Sequence, residues 1–314
     1  MEKNKKIVLV IIGLISCCVI IAVGSVVVIY SVFSRFASEY QLVLNQTPTV
    51  TESFIPTLGL TNTRTTPIVK PTDKSTAEDC DSKINTTTKA ELNSILNNLR
   101  KKYQIGFCFF QVPVSSFGSI HEYQALTNSD LDQLFDYVVM FNQEFSKYPI
   151  KFIQNINLKN IVFVKGNKVE GTARSAAPDY FKENMYYDIY LSGTDTYGRH
   201  VVHHELYHNV EQEFFGDAYY FDPNWDALND PSFDYGAGGA SCYGALPTRQ
   251  EGFFSGYATC GLEEDKAETF AALLTSEEVP QLQVFINNGD TILENKVNYL
   301  IIFLKTKDFS INFN

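Results

Sequence analysis

The sequence predicts an α+β fold for residues 78–314. Three observations carry this. Apolar residues first recur in a mixture of helical and strand-like runs. A histidine-rich helix then divides the domain, and the remainder of the chain is almost entirely helical in spacing. Between the two lies an irregular stretch, 216–262, rich in Gly, Tyr, Asp and Pro, a composition that belongs to loops.

Before the domain come two segments of another kind. Residues 7–33 are an uncharged run of 27 positions. As a helix this run is about 40 Å long, more than the roughly 30 Å of a hydrocarbon core, and it predicts a transmembrane helix. Lys3, Lys5 and Lys6 precede it, whereas Arg35 and Glu39 cancel after it. The positive-inside rule then puts residues 1–6 in the cytoplasm and the rest of the chain outside. A cleaved signal peptide would have a shorter apolar core. A lipoprotein box at Leu14-Ile15-Ser16-Cys17 would turn polar afterwards, and the run continues past it. Residues 34–77 form a stalk: ten threonines and four prolines fall in 45–76, with no helical or strand period. Such a composition cannot bury a core and stays extended.

Within the domain, Leu92, Ile95, Leu96 and Leu99 mark one face of a helix. Residues 107–112 read as a short buried strand. Leu131, Leu134, Phe135, Val138 and Phe145 mark a second helix, with Asn128, Ser129 and Asp130 as cap candidates. Residues 161–164 and 186–191 are strand-like. Further helices are predicted over 199–214, 264–274 and 290–304.

Charge and cysteines bound the function. The chain of 314 residues carries a net charge of -11 with a pI near 5.0. With the first forty residues set aside, 21 basic face 34 acidic side chains. This balance gives no footprint for nucleic acid or anionic lipid heads, and no P-loop or G-x-G-x-x-G run supports a nucleotide. Cys80, Cys108, Cys242 and Cys260 lie in the predicted outer part, an oxidising place that favours disulfides. Near pairing, Cys80 with Cys108 and Cys242 with Cys260, closes the shorter loops.

The chemistry sits at His204-Glu205-Leu206-Tyr207-His208, an H-E-x-x-H run on a predicted helix. Positions i and i+4 face one way, so both imidazoles reach one zinc ion. Glu205 borders the same place, where a carboxylate takes a proton from water. His200 and His203 crowd the helix and read as residues behind the site or on the surface. A catalytic zinc needs a third protein ligand. The metzincin continuation is excluded, because Glu211 and Phe214 stand where it needs glycine and histidine, and no histidine occurs after His208. An acid is therefore the expected third ligand. Glu264 and Glu268, four apart on the next helix, suit a pair in which one binds zinc and the other orients an imidazole.

At these residues the chain resembles the gluzincin peptidases, and within them the family of the anthrax lethal factor catalytic domain. The likeness rests on Ser255-Gly256-Tyr257, with Tyr257 seven before Glu264, then Glu264-Asp265-Lys266-Ala267-Glu268-Thr269-Phe270. It implies a zincin-like domain with a small mixed sheet and a mostly helical C-terminal part. It also implies that Glu264 ligates zinc, that Glu268 supports His204, and that the Tyr257 hydroxyl stabilises an oxyanion. The function implied is a membrane-anchored extracytoplasmic peptidase with one zinc per chain and a peptide or protein substrate. By the same family analogy, 186–191 is the edge strand that pairs with extended substrate. Asp222, Asp226, Asp230 and Asp234 are spaced four apart on a substrate-facing loop without EF-hand order, and Trp225, Phe233 and Tyr235 pin that loop. The rival reading is an inactive zincin-like surface binding or adhesion module. Retention of Glu205 speaks against it, since a site that only binds needs no base.

Overall fold

The computed structural model describes residues 89–242, 246–311 and 313. The predicted cytoplasmic segment, transmembrane run and stalk, and Cys80, lie outside the described residues. Among the described residues no helix is long and apolar enough to cross a membrane.

The chain opens with α1 (Ala90–Tyr103), whose Leu92, Leu96 and Leu99 are buried, and then β1 (Gly106–Cys108). A 3₁₀ turn leads into β2 (His121–Ala125). A second 3₁₀ turn, Asn128–Asp130, precedes α2 (Leu131–Phe145). Asp130, one of the predicted candidates, is the N-cap of α2, and Thr127, one residue before the candidates, caps the 3₁₀ turn. The Thr127 side chain and Asp130 form a reciprocal capping box, with the Thr127 amide donating to Asp130 Oδ2 at 2.7 Å. After α3 (Ile150–Asn155) come β3 (Asn160–Val169), β4 (Thr172–Ala173), β5 (Ala176–Asp179) and β6 (Asn184–Asp188).

The six strands form one mixed sheet. Its path is β1-β3-β6-β5, with β1/β3 and β3/β6 parallel and β5/β6 antiparallel; β2 and β4 also pair with the long β3. Side chains alternate with period 2 along the central strands. Ile161, Phe163, Met185 and Tyr187 join the main core, whereas Val162, Val164 and Tyr186 join a smaller cluster on the opposite face with Cys108 and Ala177. Phe141 of α2 meets Phe107, Phe163 and Tyr187, welding helix to sheet. All five residues of β6 are buried. This corrects the edge-strand expectation for 186–191: a strand buried on both faces sits inside a sheet, and here β6 lies between β3 and β5. The edge belongs to β5, where Pro178, lacking an N–H, is tolerated.

The second half is helical: α4 (Thr196–Phe215), the single turn α5 (Pro223–Asp226), 3₁₀ turns at Gly239–Cys242 and Tyr257–Cys260, α6 (Leu262–Leu274), α7 (Val279–Asn287) and α8 (Thr291–Thr306). The Asp195 side chain caps α4 by accepting from the Gly198 amide at 3.2 Å, and Gly216 ends it at φ +80°. Every residue of α6 is buried, between α4 and the later helices. Its four acids and one lysine therefore each need a partner.

Candidate metal centre and catalytic cleft

Helices α4 and α6 build the site between them. His204 and His208, one turn apart on α4, turn their Nε2 atoms to within 3.3 Å of each other. From α6, Glu264 Oε2 comes to 3.0 Å from His204 Nε2 and 3.7 Å from His208 Nε2. That oxygen is buried and accepts no hydrogen bond. A buried carboxylate oxygen without a well-formed hydrogen bond is costly, and two imidazole nitrogens converging on it suit a cation. The donor set of two imidazoles and one carboxylate is the kind zinc takes with a position left open. The residues present thus fit a bound metal ion of the zinc type.

The support behind the ligands is also in place. Glu268 Oε1 lies 2.9 Å from His204 Nδ1, although the angle falls short of a full hydrogen bond. Glu268 Oε2 accepts from Ser255 Oγ at 2.5 Å. Burial would raise the Glu268 pKa, but His200 and His204 outweigh it and hold the carboxyl well below its ordinary range. Glu264 behaves alike: burial raises it, and His204 and His208 bring it well down. The Tyr257 hydroxyl donates to Glu264 Oε1 at 3.1 Å. Burial first, and then the Glu264 charge, raise the Tyr257 pKa, so the hydroxyl keeps its proton and remains a donor.

These groups line a cleft of about 1580 Å³, together with Glu205, Tyr180, the first three residues of β5 and parts of the segment from Tyr219 to Ala240. Asp226, Asp230 and Asp234 face into it. Asp222 instead caps α5, accepting from the Asn224 amide at 3.0 Å. The loop is pinned from below through Asp265 Oδ2, which accepts from Trp225 Nε1 at 2.8 Å, Tyr235 OH at 2.6 Å and Lys296 Nζ at 2.7 Å. The Cys242–Cys260 disulfide, with a Cα–Cα distance of 6.0 Å, ties the loop to the turn that carries Tyr257. Cys108 is also disulfide-bonded.

Two features escaped the sequence reading. Gly236, Gly238 and Gly239 run against the site: the Gly236 amide donates to Thr259 O at 3.0 Å and the Gly238 amide to Cys260 O at 2.8 Å. A Cβ on Gly239 would collide with Glu264 Oε1 and the Tyr257 hydroxyl. The signal was the Gly236-Ala237-Gly238-Gly239 run, whose purpose shows only once the chain closes over α6. The second feature is the partnering of the extra histidines, neither of which is on the surface. His203 is fully buried, with Nε2 2.8 Å from Glu144 Oε2 and Nδ1 2.6 Å from the Tyr148 hydroxyl. His200 lies between Glu268 and Glu278.

No family model matches the chain, and no curated protein matches it. Among solved structures, the chain is similar to one from Bacteroides caccae described as a "putative zinc-binding metallo-peptidase". The identity is 17% over 71% of this chain and 88% of that one, with a TM-score of 0.46.

Proposed function

We propose that the chain is a zinc-dependent peptidase of the gluzincin kind, related to the lethal-factor family, and carried outside a membrane on residues 7–77. The observation that carries the peptidase reading is the convergence of His204 Nε2, His208 Nε2 and the buried Glu264 Oε2 on the floor of an open cleft. These three side chains would hold the zinc. When bound, zinc supplies a Lewis acid that polarises a carbonyl and makes water a better nucleophile at neutral pH.

The chain's own residues do the rest. Glu205 takes the proton of the attacking water and passes it to the leaving amine. The Tyr257 hydroxyl, a donor beside Glu264 in this structure, turns to the oxygen that gains charge in the transition state. Glu268 keeps the proton of His204 on Nδ1 and so aims Nε2 at the metal. The outer edge of β5 offers backbone groups to an extended peptide, and Ala176, Ala177 and Pro178 line the cleft. The hydrophobic run at 7–33, with lysines before it, supports the anchored topology.

Glu205→Gln tests the reading. Peptide hydrolysis should fall by about 10²–10⁴-fold while zinc content stays at one per chain. A variant that cleaves a peptide library as fast as the wild type would remove Glu205 from the mechanism.

A further inference from the structure

His200 has no part in the proposed reaction, yet both of its ring nitrogens are held by carboxylates. It lies one turn before His204 on α4, and it is buried. Its Nε2 is 2.9 Å from Glu268 Oε1 and its Nδ1 is 2.7 Å from Glu278 Oε2. Two carboxylates that only accept would require each ring nitrogen to carry a hydrogen, the pattern of an imidazolium. Phe254 lies nearly parallel to the ring, with 15° between the planes and centroids 6.5 Å apart.

The position matters because of what Glu268 must do. Its Oε1 is shared between His200 Nε2 and His204 Nδ1, each at 2.9 Å, and its Oε2 takes the Ser255 hydroxyl. A buried carboxylate stays ionised and oriented only with a countercharge and a full set of donors. His200 supplies the countercharge. Glu278, at the N-cap of α7, holds His200 from behind. The same geometry offers a rival. One atom each from His200, His204 and Glu268 lie within 4.8 Å of one another, close enough to hold a cation. For that, the His204 ring would have to ligate through both nitrogens, and His200 would have to surrender a proton that two carboxylates retain.

We infer that His200 is a positioning residue: a buried imidazolium, clamped by Glu278, that holds Glu268 against His204 and fills the place a second cation would need. This rests on the zinc-site reading and adds His200 and Glu278 to the groups that support it. The chain Glu278–His200–Glu268–His204 makes zinc affinity depend on a side chain that touches neither metal nor substrate.

The test is a double-mutant cycle on zinc affinity in the full chain, measured by competition with a chromophoric chelator at neutral pH. The wild type should take one zinc. His200→Ala should weaken zinc about tenfold and Glu268→Gln by about 10–100-fold. The double variant should be no weaker than Glu268→Gln alone, because His200 acts through Glu268. His200→Gln, whose amide still donates to Glu268, should recover part of the loss. Glu278→Gln should weaken zinc in the same direction by a smaller factor, and it serves if His200→Ala does not fold. Additive losses in the cycle, or unchanged affinity in both His200→Ala and Glu278→Gln, overturn the inference. So does a second zinc in the wild type that disappears in His200→Ala, which would make the cluster a metal site. A folded wild type that takes no zinc would defeat the peptidase reading itself, an outcome distinct from a cycle that merely adds.

Discussion

Gly239 shows most sharply how residue-scale geometry constrains the proposed chemistry. Its Cα faces Glu264 Oε1 and the Tyr257 hydroxyl so closely that a methyl group has no room. Gly239→Ala should therefore displace both side chains and weaken zinc by at least about tenfold with little change in melting temperature; metal analysis beside a thermal melt separates the two effects. Tyr257→Phe removes only a hydroxyl. It should retain zinc and lower kcat by about 10²-fold, and an effect confined to KM would move Tyr257 from transition-state stabilisation to substrate binding. His204, Glu205, His208, Glu264 and Glu268 were legible as candidates because a pair four apart on a helix is a local pattern. The roles of Gly239 and His200 were not. Their constraints come from side chains distant in sequence, Glu264 for one and Glu278 for the other.

At the scale of elements, the site depends on how α4 is held to α6. Behind the proposed ligands, Glu211 of α4 pairs with Lys266 of α6, and both side chains are almost wholly inaccessible. Lys266 also donates to Tyr220 O at 3.2 Å. Burial drives the Glu211 pKa up to about 7 even with Lys266 opposing it. Without Lys266, Glu211 must be buried as a lone charge or take up a proton, so Lys266→Met should destabilise the fold in urea unfolding, by up to about 3–5 kcal/mol and most strongly above pH 7. Replacing both with apolar residues of similar size should be much milder, because no lone charge remains. Helices α1, α2, α4, α6 and α8 declared themselves through apolar spacing or the motif they carry. The α7 helix did not: Pro280 sits in its first turn and only Leu282 is buried, so no periodic stripe marks it. The interior place of β6 was hidden for the opposite reason. It is buried on both faces, and sequence alone does not say which strand will cover the far side.

Over the whole molecule, one mixed sheet and a helical second half share a continuous core, and the α+β class was legible from element order alone. The pH response of this core is set partly by Glu144, which accepts from Arg199, Lys147 and His203. Burial raises the Glu144 pKa, but His203 and Lys147 outweigh it and bring it to about 2 from an ordinary 4.5. A carboxyl depressed by folding stabilises the protein above its unfolded pKa. That contribution is lost as pH falls from about 4.5 towards 2. Burial also takes His203 down to about 4, against the pull of Glu144, so the neutral ring favours folding above pH 6.5 and ceases to do so as pH falls to 4. Acid titration of melting temperature should show both phases, and Glu144→Gln should flatten the lower one. Everything proposed about function rests on the three-residue zinc site. Its most direct test is the zinc content of the purified full chain beside Glu264→Ala, dialysed together against the same trace of free zinc. One zinc per wild-type chain and sharply less in the variant is the expected result. Equal zinc in both, or none in a folded wild type, would refute the site.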